Sequence, residues 1–100
     1  MTETPLAAVA ETQVDNDQVR VTRWSFAPGA ATGWHVHEMP YVITPVIGSA
    51  VRIIDADGNA SEIEMIAGQS YFRPAGVAHD VINAGPGELV FVETELKDAP

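Results

Sequence analysis

The chain of 100 residues contains no cysteine, and this absence excludes several kinds of chemistry at once. The protein can form no disulfide, offers no thiolate ligand to a metal and has no thiol nucleophile. Any metal ion must therefore bind to nitrogen and oxygen atoms. Lysine and arginine are also absent before Arg20, and no long apolar run precedes it. A signal peptide is therefore not expected, and the cytoplasm is the predicted compartment.

Basic residues are few throughout the chain. Only 5 Lys and Arg stand against 14 Asp and Glu, which gives a net charge of −9. This charge repels nucleic-acid phosphates and anionic lipid surfaces, and no apolar stretch approaches membrane-spanning length. The apolar fraction of 46% is ordinary for a globular protein. We therefore expect one folded domain whose partner is a small-molecule substrate or ligand, with neither nucleic acid nor membrane involved.

Helical periodicity is missing, and short β-like runs alternate with turns rich in glycine and proline. Residues 1–14 show no sustained pattern and predict a flexible N-terminal arm or an edge strand, whereas residues 15–100 predict a single β domain. Short strands at this spacing favour a sandwich or a small closed barrel. The predicted strands are residues 19–26, 35–37, 41–47, 50–55, 62–66, 70–73, 79–83 and 89–96.

The last predicted strand is apolar on both faces, because Leu89 and Phe91 alternate with Val90 and Val92. One face fits the core of the domain. The other face needs cover from the N-terminal arm or from a partner subunit. A homodimer is the expected assembly on this ground.

The three histidines, His35, His37 and His79, concentrate the potential chemistry of the chain. In a strand, alternate residues point to the same face, so His35 and His37 place their imidazoles side by side, about 7 Å apart along the backbone. The segment from Pro74 to Gly76 is a rigid turn that aims the following residues, including His79. Any single one of these histidines is best explained as a hydrogen-bonded interior residue. Together they predict a metal site.

These segments resemble the two characteristic motifs of the cupin superfamily. The first motif contains a glycine, an H-x-H pair, a glutamate and a second glycine, and it is matched except that Tyr41 replaces the glutamate. The second motif is matched throughout. The chain is similar in particular to small single-domain bacterial cupins associated with β-alanine degradation. The resemblance implies an all-β jelly roll, the double-stranded β-helix, as a small barrel. The matching positions are Gly29, His35, His37 and Gly48, followed by Gly68, Pro74, Gly76, His79 and Asn83.

The resemblance also implies one divalent metal ion per subunit, held by His35, His37 and His79. Iron, manganese, nickel, zinc and copper all occur in this superfamily. Three-histidine cupins include dioxygenases, so dioxygenase-type chemistry on a small organic acid or dicarbonyl is the first functional hypothesis. A metal-dependent isomerase or lyase, and a non-catalytic cupin that binds a metal or a small molecule, are the alternatives. Enzyme and binding protein therefore both stay open at this point.

Four further residues are candidates for the site. Tyr41 is predicted to donate a proton or to contact substrate, because a phenol with an ordinary pKa of about 10 ligates metals poorly. Glu38 is the alternative fourth ligand, although strand alternation turns it away from the histidine face. Arg73 is a candidate substrate contact that would anchor a carboxylate, and an ion pair with one of the 14 acidic residues is the equal alternative. Asn83, which is in phase with His79, is a second candidate substrate contact, although a structural role in the strand ladder is the favoured interpretation.

Overall fold

The computed structural model describes residues 6–97, and the regular secondary structure in this range consists of β-strands. The eight predicted strands correspond to β2–β9, with small shifts at their ends. In chain order the strands are β1 (Val9–Asp15), β2 (Val19–Phe26), β3 (His35–Val36), β4 (Tyr41–Ile47), β5 (Ser49–Ile54), β6 (Ala60–Met65), β7 (Tyr71–Arg73), β8 (Ala78–Asn83) and β9 (Leu89–Leu96).

The strands form two antiparallel sheets. One has five strands in the order β1-β2-β9-β4-β7, and the other has four in the order β3-β8-β5-β6. This arrangement confirms the predicted all-β jelly roll. The two sheets do not close into one continuous barrel, and two of their edge strands, β3 and β7, span only 2 and 3 residues. The predicted small barrel is therefore a jelly roll made of two separate sheets.

Two-residue alternation builds the core between the sheets. In β8, buried residues alternate with half-buried ones along the whole strand. Phe26, Val51 and Leu89 are fully buried, and the rings of Phe26 and Phe91 pack with their centroids 5.3 Å apart. The same interior contains buried polar residues, among them His37, His79 and Glu93. These polar side chains mark the candidate site.

Strand β1 is an edge strand that pairs with β2, and all 7 of its residues are exposed. It occupies residues 9–14 of the segment for which the sequence predicts an arm or an edge strand, and residues 1–5 of that segment lie outside the described residues. Val90, on the second face of β9, is only 1% exposed, so the described part of the chain covers it without a partner. The homodimer and the division at residue 14 stay predictions. No helix among residues 6–97 is long and apolar enough to cross a membrane.

Candidate metal centre

The pairing of β3 with β8 brings the three histidines together. His35 lies directly opposite His79 in this antiparallel pair. Just beyond β3, the amide of His37 donates a hydrogen bond to the carbonyl oxygen of Val77 over 2.8 Å, and the amide of Gly76 donates to the carbonyl oxygen of His37 over 2.8 Å. Gly76 has a φ of 95°, which side chains rarely tolerate, so the turn before His79 requires glycine. Backbone bonds therefore fix both histidine segments.

The imidazole rings converge at their Nε2 atoms. The Nε2 atom of His37 lies 2.9 Å from that of His35 and 3.1 Å from that of His79. An ion that binds two imidazole nitrogens at right angles, each at about 2.1 Å, holds these nitrogens about 3.0 Å apart. The observed spacing matches this value. The predicted fork of His35 and His37, with His79 as the third member, is thus assembled as a cluster that can hold a metal.

The hydrogen bonds of His35 identify the nitrogen that offers a lone pair. Its Nδ1 atom lies 2.9 Å from the carbonyl oxygen of Gly33, which can only accept, so Nδ1 donates and the neutral ring carries its lone pair on Nε2. One proton on Nε2 of His37 could not make a good hydrogen bond to both neighbouring rings. A cation between the rings satisfies all of them. With nitrogen as the donor, the cluster suits a divalent transition metal such as zinc, iron, nickel or copper.

Both buried histidines are held in the neutral form that ligates metals. The pKa values of His37 and His79 are lowered from 6.5 to about 4, mainly by burial and in smaller part by the positive charges of His35 and Arg73. At neutral pH these two rings therefore need not lose a proton before they bind a cation.

Tyr41 supports the cluster from one side. Its ring stacks on the ring of His37 with centroids 3.9 Å apart and an angle of 21° between the planes. Its hydroxyl is buried and has no hydrogen-bond partner of good geometry among residues 6–97. Burial raises the pKa of Tyr41 to about 12, and the nearby Arg73 guanidinium opposes this shift only in part. Tyr41 therefore keeps its proton and is available as a donor to a bound molecule.

Glu93 is a candidate that the sequence analysis missed. Its side chain is buried in β9, and its Oε2 atom lies 3.9 Å from Nδ1 of His37, the nitrogen that does not meet the other histidines. Burial raises the pKa of Glu93 to about 7. The sequence does contain a signal that Glu93 is buried, because two-residue alternation in a strand places it on the same face as the core residues Leu89 and Phe91.

The other predicted site residues lie apart from the cluster. Glu38 is exposed and is not among the clustered residues, so it does not supply a fourth ligand. The strand ends before it, which leaves the side chain outside the paired backbone. Arg73 is exposed at the end of β7 and lines a cavity next to His79.

The side chain of Asn83 has a structural role, which is the one of its two predicted roles that the sequence favours. It is 1% exposed and lines neither cavity beside the histidines. Its Nδ2 atom donates to the carbonyl oxygens of Phe26 and Gly87 over 3.2 and 2.8 Å. Its Oδ1 atom accepts from the hydroxyl of Ser49 over 2.7 Å and from the amide of Gly85 over 3.1 Å. The amide therefore holds the loop after β8 in place.

Two cavities adjoin the three histidines. The inner cavity has a volume of about 50 Å³, and Trp24, Tyr41 and Glu93 contribute polar groups to its wall. The rest of this wall is largely apolar, with Ile43, Met65, Val81 and Phe91 among its residues. The outer cavity has a volume of about 230 Å³ and shares Tyr41 and His79 with the inner one. A small molecule in either cavity would lie beside the metal cluster.

The chain belongs to the cupins, because the model of the cupin domain family matches residues 22–95. This match spans most of the chain and includes all three histidines. The family is thus the one that the two sequence motifs resembled.

Individual relatives agree with this assignment. The chain is 50% identical over 90 residues to the beta-alanine degradation protein BauB of Pseudomonas aeruginosa, which covers 90% of this chain and 94% of the relative. A crystal structure of a cupin domain from Bordetella pertussis is 40% identical, with a TM-score of 0.92 over 97% of this chain and 100% of that one. An RmlC-like cupin from Methanocaldococcus jannaschii has a TM-score of 0.76 over 97% and 86% of the two chains, but 13% identity, so it shows the fold alone.

The buried acid Glu93 gives a pH-dependent prediction for the metal-free protein. Its folded pKa of about 7 lies above the ordinary value of 4.5, so the folded state binds more protons than the unfolded state between these values. The contribution of Glu93 to stability is therefore present at pH 4.5 and lost as the pH rises through 7. Relative to the wild type, Glu93→Gln is expected to gain about 2 kcal/mol of unfolding free energy between pH 5 and pH 8.

Urea denaturation of both proteins across this range measures the effect. His37 and His79 act in the opposite direction, since their lowered pKa values remove stability as the pH falls from 6.5 towards 4, but both proteins share this change. Glu88→Gln, which removes an exposed carboxylate, serves as the matched control. A constant difference between Glu93→Gln and wild type at all pH values would contradict the assigned pKa.

Proposed function

We propose that this cupin is a mononuclear metal-dependent enzyme that acts on a small organic acid or dicarbonyl, with dioxygenase-type chemistry as the first candidate reaction. The observation that carries the proposal is the convergence of three Nε2 atoms, at 2.9 and 3.1 Å, beside a largely apolar cavity. The resident ion would be held by His35, His37 and His79, one ion per subunit. Iron is the first candidate and manganese, nickel, zinc and copper are the others.

A divalent ion on three neutral imidazoles keeps its full dipositive charge, which supplies Lewis acidity, and iron adds reactivity towards dioxygen. The protein around it performs the remaining tasks. The apolar wall of the inner cavity limits access of water, which strengthens polar interactions inside. The stacked rings of Tyr41 and His37 fix the orientation of both side chains.

Tyr41 and Glu93 are the polar groups of this cavity that we assign to the reaction. The hydroxyl of Tyr41 has no hydrogen-bond partner of good geometry in the described part of the chain, so it can donate to an oxygen atom of a substrate. The carboxyl group of Glu93 faces Nδ1 of His37 at 3.9 Å. If the carboxyl group of Glu93 moved slightly closer to His37, it could accept a hydrogen bond from the Nδ1–H group. That bond would keep Nε2 directed at the ion, as carboxylates commonly do for metal-bound histidines.

The relative from Pseudomonas aeruginosa adds a consistent indication. Its name connects that protein with the degradation of β-alanine, which is itself a small carboxylate. The same size of compound suits the cavities of this chain, whose volumes are about 50 and 230 Å³. We therefore propose small carboxylates and dicarbonyls as the compounds to screen.

An oxygen-electrode screen tests the proposed function. The untagged protein is loaded with iron(II) and supplied with small organic acids and dicarbonyls, and the expected result is substrate-dependent oxygen uptake with at least one of them. The zinc-loaded protein, which cannot activate dioxygen by redox chemistry, is the matched control. Product formation without oxygen uptake would point to an isomerase or lyase. A protein with full metal occupancy that turned over none of the compounds would contradict the proposed enzymatic activity and favour a non-catalytic binding protein.

A further inference from the structure

The outer cavity contains a cationic side chain that the metal cluster does not use. This cavity has a volume of about 230 Å³, opens beside His79 and is amphipathic. Its wall includes Tyr41, Ser61, Ile63, Tyr71, Arg73 and His79. Among the described residues, Arg73 is the one arginine or lysine in this wall. Its guanidinium group offers five N–H donors in a planar fork, which is the geometry that matches a carboxylate.

Arg73 has no carboxylate partner among residues 6–97, although the chain carries 14 acidic residues. By contrast, Arg20 lies 3.5 Å from Asp15, and Arg52 lies 3.1 Å from Glu62. Lys97 is also paired with Asp15. Arg23 likewise has no carboxylate partner among residues 6–97, but it lines neither cavity, whereas Arg73 shares the wall of the outer cavity with His79.

The one acidic residue in the wall of the outer cavity is occupied elsewhere. Asp55 uses its Oδ1 atom to accept the backbone amides of Asp57 and Asn59 over 2.9 and 3.0 Å. It thereby caps the turn between β5 and β6, and it forms no ion pair with Arg73. Within residues 6–97 no carboxylate is thus paired with this arginine, which leaves its guanidinium open to a carboxylate ligand.

The charge of Arg73 is directed at the site. Arg73 lies opposite Tyr41 in the pairing of β7 with β4. Burial is the main cause of the raised pKa values of Tyr41 and Tyr71, and the Arg73 guanidinium opposes it in both. Strand pairing and the shared cavity wall therefore both place Arg73 beside Tyr41.

We propose that the outer cavity is a carboxylate-binding subsite in which Arg73 anchors one end of the substrate while the other end reaches the three-histidine cluster. The substrate class is thereby narrowed from organic acids or dicarbonyls to small organic acids that carry a second group able to ligate a metal. Ser61 and Tyr71 supply hydroxyl groups beside the anchored carboxylate, and Ile63 contacts the intervening carbon chain. This inference rests on the proposed function, because the second group is assigned to the metal cluster.

Binding of paired probe acids tests the subsite. Oxaloacetate, 2-oxoglutarate and 2-oxoadipate each carry a chelating 2-oxo acid and a terminal carboxylate at increasing distance, whereas 2-oxopentanoate lacks the terminal carboxylate. Titration calorimetry on the zinc-loaded and the metal-free protein is expected to show that at least one of the three binds more than about tenfold tighter than 2-oxopentanoate. Arg73→Gln is expected to abolish this preference, and Arg73→Lys to retain part of it.

The controls separate this inference from the proposed function. Arg23→Gln removes an arginine that lines neither cavity and is expected to keep the preference. Metal content is measured for every variant, and Arg73→Gln is expected to hold as much metal as the wild type. A wild type that binds all four probes equally or binds none of them, or a preference that survives in Arg73→Gln, would overturn the subsite. A wild-type protein that bound no metal would instead count against the proposed function.

Discussion

Replacement of His79 by alanine is expected to lower the affinity of the protein for a divalent transition metal by more than about a hundredfold. Loss of a group that merely orients a metal-bound histidine commonly costs about 10- to 100-fold, and loss of the ligand itself costs more. No substitute is at hand, because the chain contains 3 histidines and no cysteine. The same result is expected for His35→Ala and His37→Ala. Competition with a chromophoric chelator measures each affinity.

Tyr41→Phe is the matched control for these variants. It keeps the aromatic ring that stacks on His37 and removes only the hydroxyl, which has no partner of good geometry in the described chain. Metal affinity is therefore expected to remain at the wild-type level. If Tyr41→Phe lost as much affinity as His79→Ala, Tyr41 would be a ligand and the assigned cluster would be incomplete. If His79→Ala bound metal as tightly as the wild type, the cluster itself would be wrong.

Replacement of Asn83 by alanine is expected to lower the unfolding free energy by about 3 kcal/mol. The substitution removes four hydrogen bonds, and it leaves buried carbonyl, hydroxyl and amide groups without a partner. Urea denaturation measures the change. The fraction that remains folded is expected to bind metal normally, because Asn83 lines neither cavity.

Asn59→Ala is the control for this substitution, because Asn59 is exposed and its side chain forms no hydrogen bond among the described residues. Its effect is expected to stay within about 0.5 kcal/mol. Asn83→Asp adds a second comparison, since a carboxylate cannot donate to the carbonyl oxygens of Phe26 and Gly87. If the Asn83→Ala protein were as stable as the wild type but no longer bound the probe acids, Asn83 would be a substrate contact.

The fold and the three histidines were predictable because their signals are local. Two-residue alternation placed His35 and His37 on one face, and the turn at Gly76 fixed the direction of His79. The structure confirms the jelly roll and brings the three side chains into one cluster. Closure of the barrel was not predictable in this way, because it depends on how far the edge strands extend in three dimensions.

Glu93 shows why part of the site escaped the sequence analysis. It lies on β9, outside both motifs, and comes next to His37 only when the two sheets pack together. Asn83 shows that the sequence left open which groups a buried amide contacts. Its phase with His79 was judged correctly, since both side chains are buried, but phase gives no information about hydrogen-bond partners from other parts of the chain. Such partners come from sequence positions as distant as Phe26 and Gly87.

Metal analysis of the untagged protein tests the central claim most directly. The protein is incubated with a divalent transition metal, separated from free metal by gel filtration and analysed for metal and protein content. We predict one ion per chain in the wild type, because the three Nε2 atoms form a single cluster. A wild-type protein that emerges without metal, or a His79→Ala variant that emerges with the same content as the wild type, would contradict the three-histidine centre.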